Sequence, residues 1–189
     1  MSELDPYSLL AGLADLKDKS LPPLHLWHPD QIKDIDMEIR EDGSWYHEGD
    51  RIARQRLAHL FSTVLRRESD GEYYLVTPVE KCRIRVQDAP FIAVTMDIQG
   101  SGKDTNMTFT TNMADTVIAG PDHPLRFEVD EQGSPIPYVM VRNGLEARAN
   151  RSVYYQLMQL LVPAESPEGE LWGIWSGGEF FSFRLPVES

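Results

Sequence analysis

Between Thr77 and Val86 the sequence reads TPVEKCRIRV and holds the chain's single cysteine, Cys82, flanked by Lys81 and Arg83. A thiol beside two cations would ionise more readily than usual and could serve as a nucleophile. Strand alternation opposes that reading. It puts Cys82, Ile84 and Val86 on one face and Lys81, Arg83 and Arg85 on the other, so the cations point away from the sulfur. A thiol among aliphatics is less ionised, and the expected role of Cys82 is packing. The opposite face carries like charges at a spacing of two residues, which repel unless they meet solvent or a bound anion. A solvated face that resists edge pairing and an anion site both satisfy that condition.

Other chemistry-bearing residues give weaker signals. GSGKD lacks the glycine five positions before Gly102 that a phosphate loop needs, and Asp104 stands where the magnesium-binding hydroxyl would be, so a hairpin turn is expected. His25 and His28 have no second ligand pair near them in sequence, and His47, His59 and His123 are scattered. No glycine-flanked serine elbow or dinucleotide fingerprint occurs. No cofactor or metal is called for. Arg51 to Arg67 contains five arginines and no carboxylate. Together with the stripe on residues 81–85, they could converge on one anion.

A formal net charge of −12 opposes adhesion to nucleic acid or anionic lipid, which makes such basic clusters informative. With 41% hydrophobic and 25% charged residues, the 189-residue chain has an ordinary globular composition. One cysteine, no leader pattern and no apolar run of about 20 residues point to a cytoplasmic protein without a membrane span.

The elements that must position these residues follow from periodicity. Asp5 and Pro6 open an amphipathic segment with Leu9, Leu10, Leu13 and Leu16 on one stripe, followed by a proline-rich linker. Residues 37–49 read as a hairpin turning at Asp42 and Gly43. A helix is expected from Arg51 to Glu68, capped by Asp50, with Ala53, Leu57, Leu60, Phe61 and Val64 inward and Arg51, Gln55, Ser62 and Arg66 outward. Antiparallel strands follow through to about residue 142. A second helix spans about Arg148 to Leu161, and two aromatic strands flank Gly177 and Gly178. The two helices align as an internal repeat, pairing Arg54 with Arg151 and Val64 with Leu161.

The motifs DGSWYHEGDRIAR, LFSTVLRRESDGEYYLVTPVEK, IRVQDAPF, TTN, GPDHPL, VRNGLEAR and WSGGEFF occur in this order. In them the chain resembles the bacterial domain of unknown function 1285 family over about residues 22–184. The resemblance implies an α+β fold of two related lobes, each a small antiparallel sheet with a helix, the second superficially pleckstrin-homology-like. The expected division is an N-terminal helical segment and linker over 1–22, a first lobe over 23–89 and a second over 90–185. The resemblance further implies a small anionic ligand of nucleotide-like kind between the lobes, and a role in signal transduction. Mapped here, the polar motif positions are Arg54, Arg66, Glu68, Thr77, Glu80, Arg85, Asp88, Asn112, His123, Arg142, Arg151 and Ser176. Arginines would bind the anionic group while Glu80, Asp88 or Asn112 reads the rest of the ligand. Locking of the lobes by buried ion pairs explains the same residues. Two rival functions stand beside this sensor or adaptor: an enzyme using Glu80, Asp88 or His123 as acid or base, and a protein-interaction module.

Overall fold

The computed structural model describes residues 21–167 and 169–184. The amphipathic segment at residues 5–16 lies outside them. The chain forms two compact units, one ending at Asp88 and the other beginning at Ala89, and sheet dominates both.

The first unit is built on a six-stranded sheet. A meander of β1 (Gln31–Ile39), β2 (Trp45–His47) and β3 (Asp50–Arg51) leads into helix α1 (Gln55–Thr63). A second meander of β4 (Leu65–Arg67), β5 (Tyr73–Val76) and β6 (Glu80–Val86) follows. The spatial order is β3-β2-β1-β6-β5-β4, so the first and last strands lie side by side at the centre, and they are parallel. The all-antiparallel expectation fails here because two meanders have been joined at their far ends. Asp42 and Gly43 make the β1–β2 turn: Gly43 has φ +79°, and the Asp42 carboxylate accepts the Ser44 amide at 2.9 Å.

The helix is shorter than its periodicity suggests. Arg51 pairs with Tyr46 in β3, Arg66 pairs with Tyr74 in β4, and the N-cap is Arg54, with no side-chain cap, rather than Asp50. Ser62, expected outside, is buried, and its hydroxyl donates to the His59 carbonyl at 2.6 Å while Thr63 donates to Leu60 at 2.7 Å. Met37, Ile39, Trp45, Leu65, Leu75, Cys82 and Ile84 alternate onto the inner face, where Phe61 of α1 stacks on Trp45 with centroids 6.0 Å apart.

The second unit repeats the strand order. β7 (Phe91–Gln99), β8 (Asn106–Thr111) and β9 (Thr116–Ile118) form one meander; β10 (Leu125–Val129), β11 (Pro135–Arg142) and β12 (Leu145–Ala149) form the other. The order β10-β11-β12-β7-β8-β9 again sets first beside last in parallel. Helix α2 (Arg151–Gln159), capped by the Asn150 side chain on the Val153 amide at 2.9 Å, packs along β7. The two helices occupy different places in these matching sheets, α1 between third and fourth strands and α2 after the sixth. The residue pairing of Arg54 with Arg151 therefore does not follow the sheet repeat.

A third sheet, β13 (Val162–Ser166), β14 (Gly169–Ser176) and β15 (Glu179–Phe183), completes the unit. Phe183 meets Phe127 of β10 with centroids 4.7 Å apart. In GSGKD, Gly102–Asp104 is a turn of 3₁₀ helix between β7 and β8. At Gly100, φ +76°, a Cβ would collide with the Asp104 carbonyl, so the glycines serve the turn.

Candidate functional site

Strand β6 alternates as its sequence requires, with Cys82 and Ile84 buried and Arg83 and Arg85 exposed. Burial pushes the Cys82 thiol up to about 11, with the Glu80 charge adding to it. At pH 8 about one Cys82 in a thousand is a thiolate, against roughly one in four for an ordinary thiol. Thiol reagents are therefore expected to label the native protein at least about a hundredfold more slowly than the denatured chain. Comparable labelling rates in a stopped assay would contradict the burial.

The cations opposite Cys82 do not repel one another, because each has its own carboxylate. Lys81 Nζ lies 2.6 Å from Glu68, Arg83 Nε 2.6 Å from Asp34, and Arg85 2.7 Å from Asp36 and 3.4 Å from Glu38. The parallel pairing of β1 with β6 supplies the three β1 acids. The hydrogen bond from Arg83 holds the Asp34 carboxyl below the usual range.

Most of the other polar motif residues also bond within the protein. Arg66 donates to the carbonyls of Leu24 at 2.9 Å and Trp27 at 2.8 Å, and to Glu68, tying the incoming segment to the sheet edge. The Thr77 hydroxyl closes the β5–β6 turn by donating to the Glu80 carbonyl and accepting the Glu80 amide. The Glu80 carboxylate pairs with Lys33. Asp88 is half-buried and engaged within the protein. The Asn112 side-chain oxygen accepts the Ile92 amide at 3.0 Å while the Asn112 backbone N–H donates to the Ile92 carbonyl at 2.9 Å. His123 Nδ1–H donates to Met140 at 3.0 Å. Arg142 pairs with Asp115 and lies over the Phe91 ring at 4.8 Å. Ser176 is fully buried, accepting from the Met107 amide at 2.9 Å and donating to the Ala119 carbonyl at 2.8 Å. The side chains of Arg66, Thr77, Asn112, His123 and Ser176 thus serve backbone groups at sheet ends and turns, which need such partners when shielded from water.

Arg54 and Arg151 differ from the rest. Among the described residues no carboxylate lies within 4 Å of either, and Arg151 rests on the Tyr155 ring at 5.7 Å. Arg54 lines a cavity of about 550 Å³ with His47, Glu48, Asp50, Arg51 and Leu57. The cavity sits where β3 gives way to α1, whose first turn contains no acid. Arg51 likewise has no carboxylate within 4 Å among the described residues. Two arginine residues and the amino end of a helix thus border one hollow, a setting that favours an anion. The sequence shows Arg51 as one of an arginine run without pairing it to Arg54; the short β3 hairpin sets both on one cavity. A second cavity, about 570 Å³, lies at the β13–β14 hairpin with Glu165 and Glu170 on its wall. No group of three or more His, Cys, Asp or Glu among the described residues is placed to hold a metal, and no described helix is long and apolar enough to cross a membrane.

Two six-stranded sheets of the same strand order, in units that divide at Asp88, define a two-domain, mostly-sheet architecture. The chain belongs to the DUF1285 family: residues 22–89 match the domain of unknown function (DUF1285), N-terminal domain, and residues 90–183 match the protein of unknown function (DUF1285), C-terminal domain. It is similar to the crystal structure of a DUF1285 family protein from Silicibacter pomeroyi DSS-3, at 44% identity and TM-score 0.84 over 94% of each chain. A DUF1285 family protein from Shewanella baltica OS155 matches at 25% identity and TM-score 0.50, over 65% of this chain and 90% of that one. No curated protein matches.

Proposed function

We propose that the protein binds a small anionic ligand in the cavity at the amino end of α1, and that it acts in the cytoplasm as a sensor or adaptor in signal transduction rather than as a catalyst. The observation that carries this reading is the pair Arg51 and Arg54 on one hollow of about 550 Å³, with no carboxylate within 4 Å of either among the described residues. That volume lies within the range of small-molecule sites. Glu48 and Asp50 on the same wall suit a ligand that also carries hydroxyl or ammonium donors, as nucleotides and phosphorylated sugars do. The acid–base candidates of the enzyme reading support it less: Glu80 is paired with Lys33, and His123 donates to the Met140 carbonyl. Matching strand orders favour an origin of the two units by duplication. A pleckstrin-homology-like second unit, each lobe carrying its own helix, remains part of the same proposal.

The test is a thermal-shift panel of nucleotides, sugar phosphates and carboxylates on the full chain. A raised melting temperature with an unconsumed ligand is expected, and Arg54→Ala should weaken that ligand by about tenfold or more, the size of a lost charge-assisted hydrogen bond. A silent panel, or unchanged affinity in Arg54→Ala, would remove the site. Turnover of the stabilising ligand would return the enzyme reading.

A further inference from the structure

We propose that the open face of the first unit's sheet is a self-association surface, and that its partner is a second copy of this chain. β1 and β6 are the central pair of that sheet, parallel and adjacent, so neighbouring columns lie about 4.8 Å apart. On the outward side β1 carries Asp34, Asp36 and Glu38, and β6 carries Arg83 and Arg85. An acidic column thus stands beside a basic one. Their side chains are open to solvent: Asp34 71%, Asp36 56%, Arg83 45% and Arg85 61% exposed.

This arrangement is self-complementary under a twofold rotation. Take an axis parallel to the strands, lying in front of the sheet and between the two columns. Rotation by half a turn sets the second copy's acidic column over the first copy's basic one, and its basic column over the first copy's acidic one. The same patch serves both subunits, as a twofold dimer requires. Charge complementarity of this kind fixes partner and register.

The internal ion pairs do not exhaust these groups. Arg83 bonds Asp34 through Nε and Arg85 bonds Asp36 through one terminal nitrogen, whereas a guanidinium carries five N–H donors and each carboxylate several lone pairs. Stacking converts separate pairs into an alternating network, where exposed ion pairs begin to contribute measurably. The net charge of −12 on each copy works against association. That repulsion is long-ranged and is largely screened at about 0.1 M salt, where the screening length is about 10 Å, while groups in contact across the interface are screened less. At about 1 M salt the length falls to about 3 Å and the contacts weaken too.

Sedimentation of the full chain tests the proposal. A concentration-dependent dimer is expected near 0.1 M salt and a monomer near 1 M. Arg83→Glu with Arg85→Glu makes the patch wholly acidic, and Asp34→Arg with Asp36→Arg makes it basic. Each variant alone should be monomeric, and their equimolar mixture should form a heterodimer at least about tenfold tighter than the wild-type dimer. Melting curves establish that each variant is folded. If one is not, the milder Asp36→Asn and Arg85→Gln should each weaken the wild-type dimer several-fold. A wild-type chain that stays monomeric at every salt concentration, a dimer indifferent to these substitutions, or swapped variants that fail to pair would overturn the proposal. None of these substitutions touches Arg51 or Arg54, so the ligand reading stands or falls separately.

Discussion

Gly177→Ala is expected to destabilise the second unit by about 3 kcal/mol or more, since backbone strain and a backbone collision act together. Gly177 has φ +57°, a conformation that side chains rarely adopt. A Cβ there would stand 2.7 Å from the Ala119 carbonyl oxygen and 2.9 Å from Gly120 Cα, neither of which can swing aside as a side chain could. The same corner is held by the Gly177 amide on the Thr105 carbonyl at 3.1 Å and by the Ser176 hydroxyl between Met107 and Ala119. Any shift that relieves the collision therefore disturbs these buried bonds. Urea unfolding of the wild type and variant would show the loss as a lowered midpoint. Equal midpoints would mean that the third sheet is not locked to the second through this turn. The glycines of WSGGEFF mark a strand junction, and the serine before them bolts it through the Met107 amide and the Ala119 carbonyl.

Glu68→Ala is expected to destabilise the first unit by about 2–3 kcal/mol at neutral pH, because it leaves two shielded cations without their anion. Glu68 sits 2.5 Å from Arg66 and 2.6 Å from Lys81, and the three side chains are only 14–21% exposed. That shielding separates this cluster from the open Arg83 and Arg85 pairs, whose charges are screened by solvent. Burial alone would raise the Glu68 carboxyl, but hydrogen bonds from Lys81 and Arg66 outweigh it and hold the group below its usual value. A depressed carboxyl contributes stability that is present above its unfolded pKa of about 4.3 and disappears as pH falls through the lower folded value. The gap between wild type and Glu68→Ala should therefore be widest at neutral pH and close below about pH 4. Melting curves across that range would reveal it, and a gap independent of pH would show that lost packing rather than lost charge is responsible.

Much of the local structure is legible in the sequence. The alternation over residues 80–86 places Cys82 inward, Asp42 and Gly43 make the first hairpin, and Asn150 caps the second helix. Asn143 and Gly144, with φ of 45° and 79°, carry an equally plain hairpin signal between β11 and β12 that the helical reading from Arg148 obscures. The overextended first helix has a similar cause. Apolar residues at 53, 57, 60, 61 and 64 fit a helical stripe, yet Leu65 also fits a strand opposite Leu75, and pairing within the sheet decides between them. The candidate site was less legible. Polar residues in ordered motifs look like a ligand set, but a motif can equally preserve a turn whose backbone needs a side-chain partner, as at Thr77, Asn112 and Ser176.

The amino-acid sequence by itself determined which side chains share a face, where the chain turns and which family the chain belongs to, because those depend on neighbours within a few residues and on ordered motifs. Only the tertiary structure decided what the charges meet. Arg83 and Arg85 find Asp34 and Asp36 across 49 residues of chain, through a parallel pairing that joins the unit's first strand to its last. Charge on a strand acts through space over a few ångströms, and periodicity carries no record of which strand will lie alongside.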